Sequence, residues 1–308
     1  MRASTPDLSP AGAGNFSSLA PLREVLIRLK RFAQRRKGAK APGSSYTSTV
    51  VRNHPVARTR EALLIEWRLV VESLTRPYHV TIPMVLLISL VPLYLFIPEL
   101  ATGPMHVPEI ALDRLVPLQP AWAVVYGSVY LFLIILPVLV VRQREHIRGT
   151  VRAYLTVWLT AYVCFLVYPT VAPRGEEVHG DGFAVWSLQA LYSSDPPYNC
   201  FPSIHVAHSF VSAITTHRVH RGVGIAAVFC ASLVGISTLM TKQHYVVDVI
   251  AGIFLALVAC ALFLRNDAGT EIPELDRRLA PVFAIGTIGI AGLGILVFWA
   301  LYQLSGEA

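Results

Sequence analysis

The chain has 308 residues, of which 54% are hydrophobic and 15% are charged, and its formal net charge is +7 at pH 7. An ordinary soluble domain is excluded, because such domains carry about 25% charged residues. The composition indicates an integral membrane protein. A nucleic-acid partner is not indicated, since Lys and Arg concentrate in the first 76 residues and in short loops between apolar runs, where anionic lipid headgroups are the expected counter-charge.

The N-terminal region, residues 1–60, mixes Ser, Pro, Gly, Ala and basic residues in the way that largely disordered linkers do. Apolar residues at helical spacing lie inside it beside basic ones, which predicts a basic amphipathic helix on a membrane surface; a solvated tail with accidental periodicity is the alternative. Residues 61–77 predict a second, juxtamembrane amphipathic helix. No signal peptide is expected, because the first 30 residues contain no uninterrupted apolar core.

Apolar runs of about 20 residues, long enough to cross a hydrocarbon layer as a helix, occur near 78–98, 120–141, 152–170, 222–241, 244–264 and 280–303. A seventh run, near 203–217, is short and contains polar residues. Arg-rich loops at 142–152, 217–222 and 265–278 all fall on the cytoplasmic side only if this run also crosses. Seven spans with a cytoplasmic N-terminus are therefore predicted.

The predicted fold is all-α and polytopic. It comprises a six-span membrane domain over residues 78–265, a cytoplasmic loop over 266–279, and a seventh transmembrane helix with a short tail over 280–308. The first span would serve as the targeting signal.

His244 and Asp248, in "HYVVD", are the first candidates for chemistry. Residues four apart on a helix lie on one face, so the carboxylate can hold the imidazole in one tautomer. An Asp inside an apolar run costs about 2.5 kcal/mol or more, which favours a functional reason for it. The alternative is a structural His-Asp pair that ties two helices together.

His205 follows Pro202 and Ser203 at the start of a predicted helix. Free backbone N–H groups and the helix dipole favour an anion there, and phosphate is the expected one. The alternative reading makes Ser203 an N-cap only and His205 an interfacial residue. His208, one turn further on, has no carboxylate partner in its own segment and is predicted to pack as a polar residue between helices.

Arg174, in "YPTVAPRGEE", ends the third predicted span. A lone Arg at such a position is usually an interfacial anchor. The predicted topology, however, places Arg174, His205 and His244 at the extracytoplasmic ends of the third, fourth and sixth spans. Three reactive residues that are distant in sequence would then share one face of the membrane.

These three segments together resemble the type 2 phosphatidic acid phosphatase superfamily of membrane lipid phosphatases and phosphotransferases. Its signature reads KxxxxxxRP, PSGH and SRxxxxxHxxxD, at the extracytoplasmic ends of the third, fourth and sixth helices of a six-helix core. The resemblance covers about residues 78–265. The matching residues of this chain are Arg174, Pro202, Ser203, His205, Ser237, His244 and Asp248.

The departures from this signature concern mainly its cations. Val167 stands where the family has lysine and Thr238 where it has the second arginine, while Gly175 and Ile204 replace its proline and glycine. Lys242 restores one cation at a different position. Because a monoester carries nearly two negative charges and a diester one, a cation-poor pocket favours a diester donor. This favours the branch of inositol phosphorylceramide synthase and sphingomyelin synthase, which is similar in "HYVVDV".

The resemblance implies phosphoryl or phospho-headgroup transfer from a lipid donor, with no cofactor and no metal. His244, oriented by Asp248, would form a phosphohistidine, and His205 would protonate the departing oxygen. Water or a lipid hydroxyl would then take the group. The residues implied to bind phosphate are Arg174, Ser203 and Lys242.

Three alternatives stay open. The first is a phosphatase acting on phosphatidic acid or an isoprenyl phosphate. The second is a metal site with His205, His208, His244 and Asp248 as ligands, in a zinc hydrolase or a transporter. The third is a lipid-binding or scaffold protein without activity. The expected partners are a lipid phosphoester substrate and membrane lipids, and no oligomeric state is predicted.

Overall fold

The computed structural model describes residues 90–101, 103–175, 178–264 and 271–306. Regular secondary structure within this part of the chain is helical, with no strand beyond isolated bridges at Thr170. The predicted all-α class is confirmed. The helices predicted within 1–60 and 61–77, and most of the first predicted span, lie outside the described residues.

Eight α-helices occur in the described part, and five of them, α2, α3, α6, α7 and α8, are long and apolar enough to cross a membrane. Two 3-10 turns, Ile97–Leu100 and Asp113–Leu115, lie between the first two helices. The helices are α1 Val91–Phe96, α2 Trp122–Val140, α3 Arg144–Val167, α4 Phe183–Ser194, α5 Ile204–Val219, α6 Arg221–Met240, α7 Val246–Phe263 and α8 Glu274–Ser305.

Helix α3 begins at Arg144, so most of the predicted loop 142–152 is helical. Its first turns are amphipathic: Arg144, Arg148 and Arg152 are exposed at a spacing of four, whereas Ile147 on another face is buried. Hydropathy alone places the start of this helix too late, because the arginines lower the average over a segment that still buries one face.

Helix α5 corresponds to the short run near 203–217. Its 16 residues span about 24 Å, and it packs against α2, α3, α6 and α7. Small buried residues on these helices, among them Ala207 on α5 and Ala256 on α7, let the backbones approach closely, as is typical of membrane helix bundles. A helix with polar residues is tolerated in this central place because its neighbours, rather than lipid, surround it.

Helix α8 begins at Glu274, inside the predicted loop 266–279, and packs mainly on α2. Its first turn is tied to the segment before α3. The Asp276 carboxylate accepts from Gln143 Nε2 at 3.0 Å and lies 3.4 Å from Arg142 Nε. This attachment accounts for the earlier helix start, since Asp276 is buried against these two partly buried side chains.

Candidate functional site

The His244 imidazole and the Asp248 carboxylate are in contact, as their spacing predicts. His244 Nδ1 lies 3.4 Å from Asp248 Oδ2, and both side chains are buried. Only Asp248 is on the helix, because α7 begins at Val246. The same Asp248 oxygen accepts the backbone N–H of Tyr245 at 2.8 Å, so the carboxylate caps the start of α7 while it contacts the imidazole.

The loop that carries His244 is anchored to the end of α6. The carbonyl of Thr238 accepts the backbone N–H groups of Gln243, at 2.9 Å, and His244, at 3.2 Å. Lys242 turns the chain with a φ of 54°, in the left-handed region. These contacts hold the imidazole between the end of one helix and the start of the next.

Ser203 and His205 begin helix α5 directly beside α7. The Ser203 hydroxyl accepts from the backbone N–H of Val206 at 3.4 Å, which makes Ser203 the N-cap. The ring centroid of His205 lies 5.9 Å from that of His244. The two histidines therefore meet, as the predicted topology requires.

Three tyrosines that the sequence did not single out surround His205. The ring centroids of Tyr130, Tyr126 and Tyr94 lie 4.9, 5.2 and 6.2 Å from that of His205. The Tyr94 hydroxyl donates to Asp195 Oδ1 at 2.7 Å. The His205 imidazole is thus surrounded by aromatic rings, and one of them, Tyr94, is hydrogen-bonded to the Asp195 carboxylate.

All three guanidinium nitrogens of Arg174 donate hydrogen bonds to protein acceptors. Nη1 donates to the carbonyls of Asp195, at 2.9 Å, and Tyr192, at 3.1 Å, and Nε and Nη2 both donate to Gln243 Oε1. Nη2 also lies 3.9 Å from the Asp195 carboxylate. In this arrangement Arg174 joins the segment before α5 to the His244 loop. Phosphate binding by Arg174 stays a prediction. It would require the phosphate oxygens to replace some of these protein acceptors.

Lys242 points toward the segment 113–116. Its Nζ donates to the carbonyls of Val116, at 2.6 Å, and Asp113, at 3.2 Å. The buried carboxylate of Asp113 in turn accepts the backbone N–H of Val246 at 2.8 Å. The ammonium therefore supports the start of α7, and its role as a phosphate ligand also stays a prediction.

The segment between α3 and α5 contains helix α4, Phe183–Ser194. Trp186 packs against the aromatic rings of Phe298 and Tyr302 on α8. Tyr192 donates its hydroxyl to the carbonyl of Thr241 at 2.7 Å. Burial raises the pKa of Tyr192 to about 12, although Arg174 nearby acts in the opposite direction, so this hydroxyl is a neutral donor at neutral pH.

Cys200 joins His244 and Asp248 in a buried group whose ligand atoms lie within 4.8 Å of one another. The metal alternative drawn from the sequence named His205 and His208 instead. Burial raises the pKa of the Cys200 thiol, and the negative charges of Asp248 and Asp195 act in the same direction. Because a metal needs the thiolate, this environment opposes binding through Cys200 unless the metal itself displaces the proton.

A cavity of about 650 Å³ lies beside His205, between α2, α3 and α5. Its walls are largely apolar, with Leu133 and Ile134 of α2 among the lining residues. His208 also lines it, and its Nδ1 lies 3.3 Å from the Tyr130 hydroxyl. His205 and His208 therefore both border this largely apolar cavity within the bundle.

The sequence model described as the PAP2 superfamily matches residues 105–262, which include all six candidate site residues. A PA-phosphatase related-family protein from Dictyostelium discoideum is 25% identical over 138 residues, which are 40% of this chain and 24% of that protein. The chain thus spans about a quarter of the length of this relative. No solved structure gives a significant match.

Proposed function

This chain belongs to the PAP2 superfamily of phosphatases and phosphotransferases, and we propose that it transfers a phosphoryl or phospho-headgroup from a lipid donor to a lipid hydroxyl or to water. One observation carries the proposal: the Asp248-paired imidazole of His244 faces His205 beside an apolar cavity. A nucleophile, a proton donor and a place for a lipid chain are thereby adjacent.

In the first step, His244 Nε2 attacks phosphorus. A P–N bond forms and the P–O bond to the leaving group breaks. Asp248, next to Nδ1, holds the proton of the neutral imidazole on that nitrogen and stabilises the positive charge that develops. His205 gives its proton to the departing oxygen, and the N-terminus of α5 at Ser203 favours the phosphate charge.

In the second step, water or a lipid hydroxyl attacks the phosphohistidine. His205, now neutral, takes the proton of the attacking oxygen while the P–N bond breaks and His244 is regenerated. The same two histidines therefore serve both steps in alternate protonation states. No step requires a metal ion.

The site is proposed to face the extracytoplasmic side. Helix α3 ends, and α5 and α7 begin, at the end of the bundle where Arg174, His205 and His244 lie. The opposite end carries Arg144 at the start of α3 and Arg221 at the start of α6. The positive-inside rule assigns that end to the cytoplasm.

A diester donor is preferred over a monoester. Both cations of the candidate site, Arg174 and Lys242, donate to protein acceptors rather than toward the histidines. A doubly charged phosphomonoester needs more compensation than a singly charged diester. The proposed activity is thus similar to that of inositol phosphorylceramide synthase, and a phosphatase for phosphatidic acid or isoprenyl phosphate is the alternative.

Product analysis tests this choice. The purified full chain is offered phosphatidylinositol with ceramide in one reaction and phosphatidic acid in another, with His244→Ala as the matched inactive control. We expect a new phosphosphingolipid in the first reaction. Release of inorganic phosphate in the second reaction, with no transfer product in the first, would instead assign a phosphatase. Equal product from the His244→Ala control would contradict both.

A metal-dependent hydrolase is a second candidate, and the grouping of Cys200 with His244 and Asp248 is the observation that favours it. A thiolate, an imidazole and a carboxylate are suitable zinc ligands. In such an enzyme the metal would replace the proton that Asp248 otherwise holds on His244. The two mechanisms differ in their response to chelators.

A further inference from the structure

The cavity beside His205 differs between its two ends. Its lining residues on α2 run from Tyr126 to Val138, which corresponds to about 18 Å along the helix. Tyr126 marks the end next to the candidate site, since its ring centroid lies 5.2 Å from that of His205. Pro137 and Val138 line the other end. A lipid chain in this cavity would therefore have its polar part beside Tyr126 and His205.

The Asp195 carboxylate borders the cavity from the segment between α4 and α5. Its side chain is 14% exposed. Oδ1 accepts from the hydroxyl of Tyr94, whose ring contacts His205, and Oδ2 lies 3.9 Å from Arg174 Nη2, beyond hydrogen-bond distance. Among the described residues no donor pairs with Oδ2, and Oδ2 is not one of the fully enclosed unpaired atoms. One oxygen of this carboxylate is therefore open to a ligand.

The Tyr126 hydroxyl is also open. Tyr126 is 5% exposed, its hydroxyl makes no hydrogen bond within the described part of the chain, and it too is not one of the enclosed unpaired atoms. Tyr130 differs, because its hydroxyl pairs with His208 Nδ1. Helix α4, which leads to Asp195, packs on α2. A carboxylate oxygen and a hydroxyl thus border a largely apolar cavity, where polar groups without a partner are costly.

We infer that Asp195 and Tyr126 form a subsite for a hydroxyl group of the lipid other than the hydroxyl that reacts. One hydroxyl satisfies both side chains, because it can donate to Asp195 Oδ2 and accept from the Tyr126 O–H. Its bond to the carboxylate is charge-assisted and therefore stronger than a bond between neutral groups. This inference rests on the proposed function and adds a chemical requirement for its substrates.

The charge of Asp195 limits what the subsite can bind. It repels a phosphate, which is expected at the start of α5 instead. Ester and ether oxygens have no proton to donate, so they would leave Asp195 Oδ2 unpaired. Two sources supply the required group: a polyhydroxylated headgroup of the donor, and the second hydroxyl of a sphingoid acceptor. The shared chemistry is a hydroxyl close to the reacting centre.

Equilibrium binding to the full chain in detergent micelles tests this inference without requiring turnover. Two pairs of probes differ only in their hydroxyl groups. The first pair is N-acyl sphinganine and its 3-deoxy analogue. The second pair is a phosphonate analogue of phosphatidylinositol and the same compound with cyclohexanol in place of inositol. The first pair reports on the acceptor and the second on the headgroup.

Two variants remove the proposed partners. Asp195→Asn keeps an oxygen for the Tyr94 hydroxyl but places an amide nitrogen, which cannot accept, at the position of Oδ2. Tyr126→Phe removes the hydroxyl and keeps the ring. Asp181→Asn and Tyr198→Phe are the matched controls, because both residues are exposed and neither lines the cavity.

We expect the wild-type chain to bind the hydroxylated member of at least one pair about 10-fold more tightly than its partner, as for one hydrogen bond to a charged group. The pair that shows the difference identifies the source of the hydroxyl. Asp195→Asn should abolish the preference and Tyr126→Phe should reduce it, each by weakening binding of the hydroxylated probe alone, while both controls retain it. No preference in either pair, or an unchanged preference in Asp195→Asn, would overturn the inference.

Turnover separates the subsite from the proposed function. A hydroxyl preference that depends on Asp195, without turnover of any phosphoester, would contradict the proposed function and leave the subsite standing. Turnover that depends on His244, with no hydroxyl preference, would overturn the subsite alone.

Discussion

The backbone N–H of Ser203 donates to the backbone carbonyl of Asp248, at 3.1 Å. This hydrogen bond joins the start of α5 to the first turn of α7. It therefore couples the segment that carries His205 to the segment that carries His244. The relative position of the two imidazoles depends on how closely these two helix starts approach, and not only on their own side-chain contacts.

Gly252 makes that close approach possible. A Cβ at this position would lie 2.6 Å from the carbonyl oxygen of Ser203. We expect Gly252→Ala to push α5 away from α7 and to lower the free energy of unfolding by about 1–3 kcal/mol, with loss of turnover. Gly286→Ala on α8 is the matched control, since nothing lies within 4 Å of its added Cβ. Thermal unfolding in detergent and turnover measure both effects; equal behaviour of the two variants would argue against the coupling.

His244→Ala and Asp248→Asn should each reduce kcat by about 10²–10⁴-fold, as expected for loss of an activated group. Asn keeps an oxygen that can accept from the Tyr245 N–H, so Asp248→Asn should remain folded while the imidazole loses its negative partner. His217→Ala, at the exposed far end of α5, is the control. Steady-state kinetics with a check of membrane insertion distinguish lost chemistry from misfolding, and near-normal kcat in Asp248→Asn would remove Asp248 from the mechanism.

The proposed role of His205 as the proton donor is tested by the dependence of the rate on the leaving group and on pH. In the proposed mechanism His205 protonates the departing oxygen, so His205→Ala should impair transfer from a lipid alkoxide far more than transfer from a p-nitrophenyl ester, whose leaving group departs without a proton. Because the proposed mechanism needs one histidine neutral while the other is protonated, the wild-type rate should follow a bell-shaped pH profile. We expect His205→Ala to lose the high-pH decline and keep the low-pH one. Equal impairment with both leaving groups would assign His205 another role.

Lys242→Met separates structural support from phosphate binding. The ammonium donates to the carbonyls of Asp113 and Val116, and Asp113 in turn holds the start of α7. Loss of these bonds should destabilise the protein by about 1–3 kcal/mol and lower kcat. A higher KM for the phosphoester with unchanged unfolding would instead identify Lys242 as a phosphate ligand. Lys242→Arg, which keeps the charge, is the control for both readings.

Metal removal distinguishes the phosphohistidine mechanism from a zinc hydrolase. Under the proposed mechanism, prolonged dialysis against a strong chelator should leave turnover unchanged, and Cys200→Ser should retain nearly full activity because that mechanism does not use the thiol. Elemental analysis of the purified chain accompanies both measurements. Activity that disappears on dialysis and returns with added Zn²⁺, but not in Cys200→Ser, would favour the metal enzyme.

The contact between His244 and Asp248 and the start of a helix at Ser203 could be predicted because they depend on local spacing and capping. The proximity of His205 and His244 could be predicted from the topology. The Arg-rich loops fall on one side of the membrane only if the segment of α5 crosses it, and this brings the two histidines to the same side. The acceptors of Arg174 and Lys242 could not be predicted, since they are backbone carbonyls of segments far away in sequence. Cys200 was overlooked because its proximity to the His-Asp pair arises only from the packing of α5 against α7.

Helix α4 carries a signal that the sequence does contain. Phe183, Trp186 and Leu188 form an apolar pattern between Gly182 and the Asp195-Pro pair, which are a helix start and stop. Hydropathy does not single out this segment, because its 12 residues are too few to span a membrane. Length excludes a span, but it does not exclude a surface helix.

Trapping the covalent intermediate tests the central claim most directly. The purified enzyme is mixed with a phosphorus-labelled lipid donor without acceptor, quenched in alkali within milliseconds to seconds, and digested for mass spectrometry. We predict an acid-labile, alkali-stable label on His244, absent in His244→Ala and removed when a hydroxylated lipid is added. Rapid turnover with no label on the protein, or with the label on another residue, would contradict the account.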